Sequence, residues 1–292
     1  MNQQRRGVVD SHPVAAFFVL AYAISWVAWL APILELAEPF GTLGFVVGGF
    51  GPFIAAAIVT WLGSDSVRAW ARQIVDWRVA PRWYLAALAV PLLVVALTSV
   101  GLALVGISVD PGVLPGRVSL VLVSFVSIAL VGGGNEEPGW RGLALPKLQE
   151  HYAPVPATLL LGVVWALWHL PLLATGPTEF HGLASFVELA PTTGVRILNI
   201  VGVAFVLTWI YNATGSVLLA ILAHTGFNTA NSTLVPLPLE VISTGDSTTI
   251  LVVTTVVLWV VVVVLLVGTR GRLGYDDPSA DTRRSGRSRP ET

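Results

Sequence analysis

The stretch that decides the fold is VSLVLVSFVSIALVGGGNEEPGWRG, residues 118–142, in which an apolar run leads directly into a cluster of charges. Residues 118–131 have the composition of a membrane-spanning helix, and Glu136, Glu137 and Arg141 follow within a few positions. Only 11% of the chain is charged. Ionisable groups beside or inside a bilayer are costly, so such a cluster is a candidate functional site.

The whole chain has the composition of a membrane protein. Of its 292 residues 54% are hydrophobic, and the mean hydropathy is +0.77, which is too apolar for a soluble globular surface. A helix needs roughly 20 apolar residues to cross a bilayer core about 30 Å thick. We therefore predict an all-α, polytopic transmembrane helical bundle with short interfacial amphipathic helices. The charge-free runs predict about eight spans, at residues 14–34, 40–62, 84–106, 118–136, 155–175, 195–211, 215–235 and 249–268.

The positions of the basic residues predict the orientation. With both termini in the cytoplasm, all but two of the 16 Lys and Arg residues fall in inside segments, and only Arg117 and Arg196 fall outside. This asymmetry follows the positive-inside rule and favours an even number of spans. Scarce lysine and abundant Ala, Val, Gly and Arg hint at a prokaryotic gene, so we expect an integral protein of a prokaryotic plasma membrane.

The predicted spans and the polar segments between them divide the chain into four parts. Residues 1–117 hold the N-terminal spans and an interfacial helix at 64–83, whose face is predicted to carry Trp70, Ile74 and Trp77. Residues 118–235 form the core that carries the candidate site, and residues 236–268 contain the last span. Residues 269–292 are predicted to be a disordered, basic cytoplasmic tail.

Composition also excludes several classes of function. The chain has no cysteine, so it has neither disulfides nor a thiol nucleophile or thiolate metal site. Its formal net charge of -1 predicts no nucleic-acid partner.

Few other polar groups lie inside the apolar runs. His169 stands in VVWALWHLPLL, and His224 and Asn228 stand in LLAILAHTGFNTA. His224 and Asn228 are separated by four residues, so both side chains leave one face of a helix. Each signal alone also has a structural explanation, as a solvated helix end or as an interhelical hydrogen bond. Their coincidence favours a shared site.

The sequence around Glu136 and Glu137 affects both the backbone and the charges of this glutamate pair. Pro138 disfavours helical backbone at Glu137, so one helix should end here and another should begin near Pro138. Two adjacent carboxylates near a low-dielectric region do not both ionise cheaply, so one either keeps its proton or is neutralised by Arg141 at i+4.

His169 lies ~14 residues into the fifth run, about 21 Å from its start. Either the segment after Arg141 dips into the membrane, or the helices are steeply tilted.

Three motifs in order resemble one known family. The EEPGWRG, WALWH and HTGFN segments are similar to the signature of the CAAX prenyl endopeptidase and bacteriocin-processing (CPBP) family of intramembrane proteases. The resemblance covers roughly residues 118–235. It departs from the family pattern at Trp165, where many members carry Phe; Trp keeps an aromatic wall but changes the cavity shape.

The resemblance implies a role for each matching residue. Glu136 is the expected general base that activates a water, and His169 is expected to hold that water. Glu137 and Arg141 are expected to support the pair, whereas His224 and Asn228 would stabilise the oxyanion. Trp140 and Trp165 are expected at the substrate cavity. Members have been classed as metalloproteases, so Glu136, His169 and His224 could ligate zinc, but a metal-free glutamate mechanism without a cofactor is favoured.

The resulting hypothesis is an intramembrane endopeptidase that cuts a membrane-anchored or lipid-modified protein or peptide near the cytoplasmic face of the lipid bilayer. Two other classes stay open. A non-catalytic membrane immunity or peptide-binding protein would keep its phenotype in Glu136→Gln. A proton-coupled transporter using the same groups as a relay would show substrate flux in proteoliposomes.

Overall fold

The structure, a computed structural model, describes Gly7 and residues 9–173, 183–243 and 248–276. Within these ranges every regular element is helical and there is no strand. The prediction of an all-α, polytopic helical bundle is therefore confirmed. The main helices, in chain order, are α1 (Pro13–Ile33), α2 (Phe40–Gly49), α3 (Gly51–Leu62), α4 (Val67–Ile74), α5 (Pro81–Leu104), α6 (Val118–Ser127), α7 (the consecutive segments Glu137–Gly139, Trp140–Ala144 and Leu145–Gln149), α8 (Pro154–Trp168), α9 (Leu183–Thr214), α10 (Val217–Thr233) and α11 (Thr248–Gly268).

The number of membrane-crossing helices differs from the prediction. Among the described residues five helices are long and apolar enough to cross a bilayer, or six if the bent pair α2 and α3 forms one span. The predicted eight spans are not confirmed, because two of the runs fold as shorter helices. Helix α8 has 15 residues and α10 has 17, so α8 is only about 22 Å long against a hydrocarbon core of roughly 30 Å.

The second predicted span is bent. Helices α2 and α3 meet at an angle of 50°, close to Pro52. Proline has no N–H, so Pro52 cannot donate to the carbonyl of Gly48, four residues earlier. The hydroxyl of Ser25 on α1 donates to that carbonyl at 2.6 Å. Ser25 therefore satisfies a main-chain acceptor that would be costly to leave unpaired in an apolar region.

The interfacial helix is shorter than predicted. Instead of residues 64–83 it covers Val67–Ile74, with Ser66 as the N-cap, whose hydroxyl accepts from the amide of Ala69 at 3.2 Å. Beyond it, the amide of Arg78 donates to the Asp76 carboxylate at 3.1 Å, a local turn that competes with helix. Trp77 therefore lies outside α4 and is 66% exposed. The prediction that it shares a helical face with Trp70 is wrong.

The segment after α6 turns into the protein. Helix α7 begins at Glu137 with Pro138 in its first turn, as the proline predicted. Every residue from 133 to 145 is buried. Gly139 permits this close packing, because a Cβ there would lie 2.6 Å from the Pro52 carbonyl oxygen and 2.9 Å from the Phe17 ring.

The C-terminal residues are partly ordered. Residues 269–276, the start of the predicted disordered tail, form turns, and Leu273 is fully buried against Val201, Phe205 and Val262. Burial of this one apolar side chain stabilises the turns, so the prediction of disorder is wrong for these eight residues. The rest of the predicted tail, residues 277–292, lies outside the described residues.

Helix packing places α10 at the centre of the site. It contacts α5, α6 and α9, while α9 also packs against α8 and α11. The guanidinium of Arg117 donates to the carbonyls of Thr233 (3.0 Å), Val235 (2.9 Å) and Leu237. These carbonyls lie at and beyond the C-terminal end of α10, where backbone acceptors lack helical partners. Arg117 thereby stabilises the end of the helix that carries His224.

Candidate active site in the helical bundle

Glu136 and Glu137 point to different surroundings although they are consecutive. The backbone between α6 and α7 is held by Asn135, whose side-chain oxygen accepts from the amide of Gly133 at 3.1 Å. The amide of Glu136 donates to the Gly133 carbonyl at 3.2 Å. Since α7 starts immediately afterwards, Glu136 remains at the wall of a cavity and Glu137 lies in the interior.

Glu137 is at the centre of a buried polar cluster. Its Oε1 atom accepts from Arg141 Nη1 at 3.0 Å and from His224 Nδ1 at 2.8 Å. Glu137 and Arg141 are fully buried. The pairing of Arg141 with Glu137 that the i+4 spacing suggested is therefore present, and Arg141 supplies the positive charge next to this carboxylate. The guanidinium also lies over the indole of Trp165, 4.5 Å from the ring centroid, which is a cation–π arrangement.

Glu136 lies beside Trp165 and His169. Its Oε2 atom accepts a hydrogen bond from Trp165 Nε1 at 2.7 Å and lies 3.9 Å from His169 Nε2. The other ring nitrogen of His169, Nδ1, is 2.9 Å from the carbonyl oxygen of Trp165. A carbonyl only accepts, so Nδ1 must donate there, which orients Nε2 towards Glu136.

Glu136 and His169 meet although the sequence suggested different depths for them. Glu136 lies just before α7, in a stretch where every residue from 133 to 145 is buried, and His169 directly follows the last residue of α8. Their side chains approach to 3.9 Å. The two explanations that the sequence left open, a dip of the segment after Arg141 into the membrane and a steep tilt of the helices, stay predictions.

Asn228 lies on the same face of α10 as His224, and both line the cavity. The Nδ2 atom of Asn228 donates to the Gly132 carbonyl at 3.0 Å. An amide nitrogen carries two hydrogens, so this contact fixes the side chain and leaves a second donor.

The cavity has a volume of about 360 Å³. Trp165 lines it, as predicted, but Trp140 does not: it is fully buried and packs edge-on against Phe17 and Trp168. The prediction of Trp140 as a cavity residue is therefore wrong, because the turn of α7 directs this side chain into the core. The lining residues that the sequence interpretation did not select include Trp29, Phe45, Trp168, Arg196, Asn199, Phe227 and Asn231.

Helix α4 contacts the backbone of α7. Trp70 Nε1 donates to the Pro138 carbonyl at 2.9 Å, and Gln73 Nε2 donates to the Gly142 carbonyl at 2.9 Å. Tyr211 on α9 donates to Gln73 Oε1 at 2.9 Å. The sequence interpretation treated Trp70 as a membrane-facing residue and missed this role; no motif in α4 marks it.

The residues named for a zinc site do not fit one. Among the described residues there is no group of three or more His, Cys, Asp or Glu side chains placed to hold a metal ion. His224 contributes Nδ1 to Glu137, and the Nε2 atom of His169 is 3.9 Å from the nearer Glu136 oxygen. The arrangement is that of a hydrogen-bonded polar site.

Two comparisons identify related proteins. Residues 118–230 match the family model described as Type II CAAX prenyl endopeptidase Rce1-like. CAAX prenyl protease 2 of Methanococcus maripaludis is 28% identical over 134 residues, which are 42% of this chain and 45% of that protein. The chain thus spans about half the length of this curated relative.

The fold and the site define an integral α-helical membrane protein with a polar, partly charged cavity inside its bundle. Residues 118–230, which contain all of the clustered side chains described above, are thus similar to the Type II CAAX prenyl endopeptidase Rce1-like family.

Proposed function

We propose that this protein is an intramembrane endopeptidase that hydrolyses a peptide bond of a membrane-associated or lipid-modified protein or peptide, with a water molecule activated by Glu136. The match to the family model and the name of the archaeal relative, a CAAX prenyl protease, support the reaction class. We further expect the protein to reside in the plasma membrane of a prokaryote, with both termini in the cytoplasm.

One observation carries the proposal: a carboxylate oxygen at the cavity wall and a histidine nitrogen face each other at 3.9 Å. This distance is too long for a direct hydrogen bond but suits a water that bonds to both groups. Trp165 holds Glu136 and the backbone holds His169, so both groups are oriented before substrate arrives.

The reaction follows from this geometry. Glu136 takes a proton from the bridging water as its oxygen attacks the carbonyl carbon of the scissile bond. The carbonyl oxygen becomes an oxyanion, which accepts hydrogen bonds from His224 Nε2 and Asn228 Nδ2. The intermediate then collapses, the C–N bond breaks, and the amine leaves with the proton that Glu136 returns. The products are a carboxylic acid and an amine, and Glu136 is regenerated.

The buried cluster prepares His224 for this role. Because Nδ1 donates to Glu137, the ring is fixed with Nε2 as the cavity-facing nitrogen. Donation from both nitrogens requires the protonated imidazole, for which Glu137 is the counter-ion. Arg141 donates to the same oxygen of Glu137 and keeps that carboxylate in place.

The test begins with mass spectrometry of peptide termini in membranes that contain either the wild-type protein or Glu136→Gln. Termini that appear only with the wild-type protein identify its products. Purified variants are then assayed on a peptide found this way. We expect Glu136→Gln and His224→Ala to fold normally but to lose about 10²- to 10⁴-fold in turnover. Glu150→Gln is the matched control, because Glu150 is an exposed glutamate at the end of α7 that contacts Lys147.

Unchanged termini and an unaffected Glu136→Gln phenotype would instead indicate a peptide-binding protein. Substrate flux across proteoliposomes that depends on a proton gradient would indicate a transporter. Either result would refute the endopeptidase.

A further inference from the structure

Two helices each line the cavity with one face, and each face carries both polar and apolar side chains. On α10 the lining residues are spaced i, i+3, i+4 and i+7, and they are His224, Phe227, Asn228 and Asn231. On α9 the same spacing selects Arg196, Asn199, Ile200 and Val203. This spacing places each set on a single helical face, so the cavity extends along both helices.

Arg196 has no function in the proposed mechanism. It is partly buried and lines the cavity, and within the described part of the chain it makes no ion pair or hydrogen bond. Its neighbours along the cavity are mostly apolar or aromatic, such as Trp29, Phe45 and Leu251. Glu136, which the reaction uses, is the sole acidic side chain among the described lining residues. A permanent positive charge in such surroundings is stabilised by an anion.

The position of Arg196 along the cavity follows from the chain path. Gly215, with a φ of 67°, joins α9 to α10, so these two packed helices run in opposite directions. Arg196 is 19 residues before Gly215, whereas His224 is 9 residues after it. At about 1.5 Å per residue, Arg196 lies about 15 Å further from the turn than His224. Asn231 lies on α10 at nearly the same level as Arg196.

We propose that Arg196, assisted by Asn231, binds a carboxylate of the peptide substrate about four to five residues from the scissile bond. An extended peptide advances about 3.3 Å per residue, so this number of residues matches the separation between His224 and Arg196. A guanidinium binds carboxylates through two parallel hydrogen bonds, and an asparagine amide adds a neutral donor. Arg196 is thus a specificity-determining residue.

The carboxylate has two sources in a peptide, the free C-terminus and the side chain of Asp or Glu. This inference rests on the proposed endopeptidase function, because it places the anion relative to a bond that is cut. The binding of the carboxylate, however, can be measured without turnover, so the two proposals can fail separately.

The test uses a mixture of synthetic peptides in detergent micelles, varied at every position and supplied both as free acids and as C-terminal amides. Products of wild-type cleavage should be enriched for a carboxylate about four to five residues from the cut. Arg196→Gln should lose this enrichment, with kcat/KM for carboxylate-bearing peptides reduced about 10- to 100-fold and that for uncharged peptides unchanged. Arg196→Lys should retain part of the preference. Arg72→Gln, which removes an exposed arginine on α4, is the matched control.

Binding is measured separately in Glu136→Gln, by capturing peptides from the same mixture with and without the additional Arg196→Gln change. Enrichment of free acids over amides assigns the C-terminal carboxylate, whereas enrichment of Asp or Glu in both sets assigns a side chain. The proposal is overturned if Arg196→Gln leaves both the cleavage pattern and the captured set unchanged. It is also overturned if the variant weakens all peptides equally, as expected for an arginine that binds a lipid phosphate. If wild-type protein cuts nothing, the endopeptidase fails, and the capture experiment alone decides on the carboxylate.

Discussion

The indole Nε1 of Trp70 donates a 2.9 Å hydrogen bond to the carbonyl oxygen of Pro138, 68 positions later in the chain. Gln73 bonds in the same way to Gly142. The two carbonyls lie on either side of Arg141, so the short helix α4 holds α7 at two points. Trp70 and Gln73 are therefore positioning residues for α7, which carries Glu137 and Arg141.

Trp70→Phe tests this relationship, because it keeps an aromatic ring but removes the donor. We expect kcat to fall about tenfold, since small displacements of a catalytic segment are costly, while KM changes little. The free energy of unfolding should fall by about 0.5–1.5 kcal/mol. Steady-state kinetics on a cleaved peptide, together with denaturation in detergent, separates the two effects. Trp77→Phe is the control, because Trp77 is exposed and lies outside α4; equal effects of both variants on kcat would contradict the positioning role.

The Glu137 and Arg141 pair predicts non-additive effects on stability. Arg141→Gln leaves a buried carboxylate without its cation, and Glu137→Gln leaves a buried guanidinium without its anion. Each single change should lower the free energy of unfolding by about 3–5 kcal/mol. The double variant should cost clearly less than the sum of the two, with a coupling of about 0.5–3 kcal/mol. Denaturation curves of all four proteins give the coupling, and strict additivity would show that the pair is not a unit.

Close packing at Gly139 predicts a sharp steric effect. In Gly139→Ala the new methyl group would meet the Pro52 carbonyl at 2.6 Å, so α7 and α3 must separate. Overpacking of this kind typically costs about 1–3 kcal/mol. Gly194→Ala is the matched control, because a Cβ at that position on α9 meets nothing within 4 Å. It should be neutral or stabilising by up to about 1 kcal/mol. A Gly139→Ala protein as stable as Gly194→Ala would contradict the packing described here.

The proposed metal-free mechanism predicts insensitivity to chelation. Purified protein dialysed against a strong chelator should retain its activity within about twofold, because no step of the proposed reaction needs a Lewis acid. Metal content measured by mass spectrometry shows whether removal was complete. Activity that falls in proportion to the zinc lost and returns on adding Zn²⁺ would refute the mechanism and favour a metalloprotease.

Much of the local structure could be predicted from sequence because it depends on near neighbours. Pro138 indicated the start of α7, and the four-residue spacing of Glu137 and Arg141 indicated their pairing. The spacing of His224 and Asn228 likewise predicted their common face. In each case the physical cause is helix geometry or the chemistry of one residue, which acts within about one turn.

The remainder depends on contacts between distant segments. Nothing near Trp70 shows that its indole meets Pro138, and nothing near Trp140 shows that α7 directs it away from the cavity. Hydropathy could not separate membrane-crossing helices from shorter apolar helices such as α8, since both are apolar. The sequence also did not indicate that Arg196 lines the cavity. The positive-inside rule placed Arg196 among the external charges, but the face of α9 that carries it also lines the cavity.

The boundary between the cavity and the protein interior passes between two consecutive residues. Glu136 lines the cavity, whereas Glu137 is fully buried with Arg141 and His224. Among the described residues, Glu136 is the one carboxylate that lines the cavity. Its neighbour Glu137 is part of the buried interior. Substitutions at the two positions should therefore act differently: a change at Glu136 alters the cavity wall of a folded protein, whereas a change at Glu137 disturbs the packing of the interior. The polar balance of the site is therefore fixed when the chain folds, before any solute enters the cavity.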